Sequence, residues 1–350
     1  MGYAKKRLKK FPLPTPDKGF FFFFYFEDIP DGGTNDCKHV YYNRSKLRPF
    51  PGMDQINASP ADQILGSGAH FLDVNGTRKR SFVFGNKFYE DLAGTLTNRT
   101  GAVTITSGNL VKAVNHQQGS NKYAIYVNGV DAPWKWTGSG NAAVLGGSPP
   151  IFESIAKYHN IFFGSKDESV YFSAETDPET WNVTKWIVPF ERTVKCQLDN
   201  GSKLAVMMED RIGSIQGYSF LDLVAEQSEI DHFGCVGRLA ACNARFKNQD
   251  VIATISRNGI WIFDGAFNAQ KLIGDDFFTE FNALNIHKSV IAYDSTEFLL
   301  YAAMPYGAAT ENDYILVIDM TTGAIWPGPD IHSSHIKSMS SMRDESGNEF

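Results

Sequence analysis

Val251-Ile252-Ala253-Thr254-Ile255-Ser256-Arg257-Asn258-Gly259-Ile260-Trp261-Ile262-Phe263-Asp264-Gly265 is the stretch whose reading decides the fold. Two apolar, β-branched runs, Val251–Ser256 and Ile260–Phe263, flank Asn258-Gly259. Asn-Gly is the favoured hairpin turn because both positions tolerate positive φ. Asp264-Gly265 then breaks the second run. The unit therefore reads as a β-hairpin.

The same texture recurs along the chain. Ala69–Val74 precedes Asn75-Gly76, Ser81–Phe84 precedes Gly85-Asn86, and Tyr123–Val127 precedes Asn128-Gly129. Ile161–Gly164 with Ser169–Ser173 reads as a hairpin, as does Lys195–Leu198 with Leu204–Met208 across Asn200-Gly201. Phe298–Ala303 and Tyr314–Ile318 repeat the pattern, and Thr322-Gly323 turns into Ala324–Trp326. From Asp62 onward these units begin roughly every 40–50 residues, the length of a four-stranded propeller blade. The expectation is an all-β, β-propeller-like fold of about six to seven blades over residues 61–350. A pair of β-sandwiches is the alternative. Ile336–Met342 reads as the start of an unfinished last blade.

Composition agrees. Of 350 residues, 27 are Phe and 31 are Gly, while charged residues are only 21%, which favours short strands and glycine turns over helical bundles. The formal net charge of -6 excludes a surface adapted as a whole to coat nucleic acid. The densest basic patch, Lys5, Lys6, Arg7, Lys9 and Lys10, lies in an arm punctuated by Pro12, Pro14 and Pro16. Residues 1–60 thus read as an extended arm and lead-in strand. Phe20, Phe22, Phe24 and Phe26 belong to an unbroken aromatic run, Phe20–Phe26, which needs covering by this chain's own sheet or by another subunit. The run is also a candidate strand for closing the last blade. A basic stretch before it resembles a secretion signal, but Glu27 and Asp28 stand where small cleavage-site residues belong. No run approaches the roughly 20 apolar residues of a membrane span.

Candidate chemistry is sparse. Cys37, Cys196, Cys235 and Cys242 show no CxxC pairing and read as buried thiols, not as a metal site or disulfide framework. His332-x-x-His335 lacks the helical HExxH context of a metal site. Asp73, Asp131, Asp264, Asp275, Asp276 and Asp319 sit beside turns and suit turn capping better than the paired carboxylates of a glycosidase. No catalytic residue, metal or cofactor is assigned. Trp134 and Trp136 share one face of a strand with Lys135 opposite, an arrangement that suits either a buried blade face or a sugar-stacking platform. In Asp177-Pro178-Glu179-Thr180-Trp181, Asp177 opens a turn and Trp181 roofs a blade edge; the competing reading stacks a pyranose on Trp181.

Taken in order, four of these pieces resemble the propeller proteins of short-tailed phages, variously called tail hub, tail nozzle or packaged-DNA stabilisation proteins. They are Gly32-Gly33-Thr34-Asn35 with Lys46–Gly52, Glu168–Asn182 with its Asp-Pro-x-x-Trp corner, Gly234-Cys235-Val236-Gly237 before Val251–Gly265, and Tyr314–Trp326. The resemblance implies a structural virion protein of a phage tail, assembled in the host cytoplasm. It implies a homo-oligomeric ring, contacts with portal, adaptor and other tail proteins, a role in DNA ejection and non-specific contact with packaged DNA, but no enzymatic activity. In that setting the basic arm and the Phe run supply assembly contacts. A carbohydrate-binding propeller using Trp134 and Trp181 is the alternative.

Overall fold

The computed structural model describes residues 64–340 except 93, 120, 228–232, 265–267, 275–277 and 329–334, together with the backbone of four short strands before residue 50. Six antiparallel sheets follow one another along the chain and stand in a ring, so the protein is an all-β, six-bladed propeller. Blade one comprises Ile64–Leu72, Arg78–Phe84, Lys87–Leu92 and Thr95–Asn98. The inner strands of the next five blades are Lys112–Gln118, Ser154–Tyr158, Val194–Asp199, Ala241–Phe246 and Val290–Asp294. Each lies beside the inner strand of the blade before it. Within every blade the strands pair as a meander, inner to outer; blade three adds a fifth, Ile187–Pro189, on Ser169–Tyr171.

Alternation along the middle strands explains why sheets stack in a ring and not as two sandwiches. Successive side chains of a strand point to opposite faces. In blade two, Ala124 and Tyr126 enter the core shared with Phe71, Val83 and Phe88 of blade one, whereas Tyr123, Ile125 and Val127 enter the core shared with Ile155 and Phe162 of blade three. Blade four divides likewise. Leu204, Val206 and Met208 pack toward blade three, and Ala205 and Met207 toward blade five. A sandwich sheet has one apolar face; these have two.

Two expectations are corrected. The fragment of a seventh blade does not form among the described residues, because His335–Ser340 is not a strand. Its backbone is held by a side chain instead: buried Asn312 donates Nδ2–H to the Ile336 carbonyl at 2.7 Å, and the Ile336 amide donates to the Asn312 carbonyl at 3.0 Å. Ile336 and Met339 pack on the core of blade six. Asn128-Gly129 is not a two-residue hairpin turn either. Asn128 is buried and donates Nδ2–H to Asp131 at 2.6 Å, holding open a wider loop before Trp134–Trp136. At the other end of the chain, Gly19–Phe20 lies beside the outer strand of blade six, Ile325–Pro327, but pairs in parallel with Gly33–Thr34.

His116 sits buried at the junction of blades two and three, 4.8 Å from the Tyr123 ring and 5.4 Å from the Phe162 ring. Neither ring nitrogen has a hydrogen-bond partner among the described residues. Burial lowers its pKa, and the Lys157 charge adds to the effect against a weaker opposing pull from Asp177. The unfolded chain therefore binds this proton more readily than the folded one. The resulting stability deficit is absent well above the ordinary histidine pKa and grows as pH falls below about 6.5. Urea denaturation across this range should show His116→Phe losing less stability on acidification than the wild type; parallel pH profiles would contradict the assignment.

Candidate functional site

The inner strands surround a central cavity of about 460 Å³, lined among others by Lys112, Asn115, Leu198, Cys242, Tyr293 and Met339. The loops that lead into these strands form a mouth at one end, a further cavity of about 360 Å³. Lys195, Arg238, Lys288 and Lys337 line it with Glu153 and Glu311.

The segment Gly234-Cys235-Val236-Gly237 builds one wall of this region. The Cys235 amide donates to the Met208 carbonyl at 2.7 Å, and Thr254 Oγ1 donates to the Gly234 carbonyl at 2.9 Å, which stitches blade four to blade five. Both glycines are required by close approach. A Cβ on Gly234 would stand 2.2 Å from the Met208 carbonyl oxygen, and one on Gly237 would stand 2.2 Å from that of His287. This route delivers Arg238 to the mouth, where Nη1 donates to the Leu110 carbonyl at 3.0 Å and Nη2 pairs with Glu153 at 2.5 Å. Burial lowers the Arg238 pKa and Glu153 counteracts it.

Behind the mouth, Lys112 joins three blades. Its Nζ donates to Ser154 Oγ at 3.1 Å, to the Gln197 carbonyl at 2.8 Å and to Cys196 Sγ at 3.0 Å. Cys196 and Cys235 are both fully buried and free. The neighbouring Cys235, with help from Lys112, holds the Cys196 pKa below the ordinary thiol range against the effect of burial, while Cys235 Sγ–H donates to the Gly237 carbonyl at 3.0 Å. Cys235 is driven in the other direction by burial and by its neighbour Cys196. The Lys112 ammonium, 3.0 Å from Cys196 Sγ, favours the ionised form of that thiol.

The residues singled out from sequence are not brought together here. Lys5, Lys6, Arg7, Lys9, Lys10, Phe22, Phe24 and Phe26 lie outside the described residues, as does the side chain of Phe20. Trp134 is fully buried and stacked on Tyr126 at 5.7 Å, so it offers no face to a sugar, and the stacking-platform alternative fails there. Trp181 is half-buried against Phe152 at 5.1 Å, and its Nε1–H donates to the Pro178 carbonyl at 2.8 Å. Asp177 accepts from the Glu179 amide at 3.0 Å and from Thr180 Oγ1 at 2.6 Å, while Glu179 takes Lys135 Nζ at 2.7 Å. The polar groups of this corner are occupied in holding it. Asp73, Asp264 and Asp319 accept amides of their own turns, as capping requires, whereas Asp131 takes the Thr106 amide and hydroxyl from the preceding connection; Asp275 and Asp276 lie outside the described residues.

Lys112, Lys195 and Arg238 were not distinguishable by any short motif. Their signal lies in blade register: Lys112 and Lys195 fall at the openings of inner strands, and Arg238 just before one.

No protein-family model matches the chain, and no curated protein does. Among solved structures, the extracellular domain of a protein described as a hybrid two-component system from B. thetaiotaomicron aligns with a TM-score of 0.54 at 9% identity, covering 85% of this chain and 38% of that one. This chain thus spans well under half of that structure. A quinonprotein alcohol dehydrogenase-like protein of the same organism aligns with a TM-score of 0.44 at 12% identity, over 71% of this chain and 62% of its own. The computationally designed Ika8 protein aligns with a TM-score of 0.43 at 10% identity, over 81% and 94%. At such identities the first likeness supports the propeller fold alone.

Removing the Lys112 amine strands the Gln197 carbonyl and the Cys196 sulfur in the interior. Lys112→Met should destabilise the protein by about 1–3 kcal/mol. It should also raise the midpoint of the thiolate ultraviolet absorbance relative to wild type. A depressed thiol pKa contributes stability above the unfolded value, which is lost as pH falls through the folded one. The variant should lack that part of the pH slope, and an unmoved absorbance midpoint would refute the ion pair.

Proposed function

We propose that the chain is a structural virion protein of a phage tail or neck, a hub, nozzle or adaptor, acting by oligomeric assembly around the DNA channel. In this reading it joins portal-side and distal tail parts, it is assembled in the host cytoplasm, and catalysis plays no part.

The observation that supports the reading best is the rim of blade four. Tyr218, Leu221 and Val224 are 79%, 83% and 52% exposed on the connection that leads into its outer strand, Val224–Gln227. That strand pairs on one side with Ile212–Gln216 and has no second partner among the described residues. Exposed apolar side chains beside an open sheet edge form a surface suited to another protein, because main-chain pairing and apolar burial act together there. The arm supplies a plausible counterpart in sequence: the run Phe20–Phe26 has β-forming side chains that call for cover, and Lys5–Lys10 adds positive charge to a negatively charged chain. The Asp177–Trp181 corner, the most specific part of the resemblance to tail propellers, has the purely structural hydrogen bonding expected of it.

Two measurements test this. Light scattering of the purified full chain should reveal concentration-dependent oligomers that Leu221→Asp weakens at least tenfold and that deletion of residues 1–26 reduces to smaller species. Mass spectrometry of purified particles from an infected culture carrying this sequence should recover the protein in the virion. A strictly monomeric chain that is absent from particles would end the proposal.

A further inference from the structure

The mouth of the central channel carries a charge imbalance that assembly at the rim does not use. Four cations and two carboxylates line it, in a chain whose formal net charge is -6. Both carboxylates are engaged. Glu311 takes Lys288 Nζ at 3.0 Å and also Lys337, and Glu153 takes Arg238. Lys195 stands between this cavity and a second concavity lined by Arg192, Glu209, Asp210 and Arg257. Of the carboxylates there, Glu209 is taken by Arg257, and Asp210 lies 3.9 Å from Arg192 and 4.0 Å from Arg211. Lys195, half-buried on the inner strand of blade four, has no acceptor among the described residues. Arg238 has none for its donors beyond the bonds to Leu110 and Glu153.

A concave, partly desolvated site with surplus positive charge focuses its field outward and favours an anion that can take the unused donors. Lysine serves such ligands as a point charge and arginine through its planar fork. A cavity of about 360 Å³ matches a small molecule and not a folded partner or a duplex. We propose that this mouth binds a small polyvalent oxyanion, bearing phosphate or carboxylate groups, whose oxygens take Lys195 Nζ and the uncommitted donors of Arg238. Lys288 and Lys337, tethered to Glu311, add long-range attraction without needing to leave their partner.

The test is calorimetric titration of the full chain at low ionic strength with tripolyphosphate and, separately, with citrate. At least one should bind at one site per chain, and which of them does so distinguishes phosphate from carboxylate chemistry. Lys195→Gln should weaken that binding at least tenfold and Lys195→Arg should largely retain it. Lys87→Gln, at an exposed position that opens the third strand of blade one, should leave it unchanged. Thermal unfolding of each variant without ligand separates lost binding from lost folding. No binding of either titrant to the folded wild type, equal affinity in Lys195→Gln, or an equal loss in Lys87→Gln would overturn the site.

Discussion

Burial of both faces of each middle sheet is the constraint on which the rest of this molecule depends. Each sheet from blade two to blade five lies between two neighbours, so its strands alternate between two cores and not between core and water. Tyr126 is stacked on Trp134 within one core while the adjacent Ile125 and Val127 belong to the next. Aromatic bulk suits this geometry, because wedge-shaped gaps between radial sheets are wide enough at their outer parts for whole rings. Phe71, Phe88 and Trp136 meet edge to face at 5.5–5.8 Å in the first gap, and Phe163, Phe172 and Trp186 fill the third. The high Phe content thus has a structural cause.

The inner strands carry buried rings as well, Phe71, Tyr158 and Phe246 among them. Buried polar side chains accompany them: Ser154 and Gln197 lie on inner strands and Ser289 just before one. Lys112 converts part of this polar surplus into a bond between blades, since one amine serves acceptors on blades three and four. The interior tolerates the charge because three acceptors, Ser154 Oγ, the Gln197 carbonyl and Cys196 Sγ, surround it; losing the amine would leave buried acceptors unpaired. Propeller cohesion in this chain therefore rests on apolar packing outside and on a small ionic knot inside.

The blades were legible because their signals are local. An Asn-Gly or Gly-Asn pair between β-forming runs marks a hairpin locally, and the strands Arg78–Phe84 and Lys87–Leu92, like Gln249–Ser256 and Gly259–Phe263, carry such a pair at their junction. Asp capping was legible for the same reason. Where the reading failed, contacts beyond the turn residues outweighed their signal: Asn128 bonds Asp131, itself anchored by Thr106 of the preceding connection, and the segment after His335 is held by Asn312 from another part of blade six. The charged mouth was not legible at all. Glu153, Lys195, Arg238, Glu311 and Lys337 come from separate blades and connections, and only closing the ring makes them neighbours.

The two unusual surfaces lie on structurally different parts of the ring, and this bears on what each can do. The rim of blade four is formed by an outer strand and its connection, which contribute little to inter-blade burial; Val224, Ala225 and Gln227 are exposed. Such a strand can exchange partners without disturbing the cores. The mouth is formed by the openings of inner strands, where the Gly234–Gly237 segment that joins blades four and five also places Arg238. A ligand there meets pre-placed groups and pays little to order them. The proposed association at the rim and the proposed anion capture at the axis would therefore draw on separate parts of the structure, and a change in one need not be transmitted to the other.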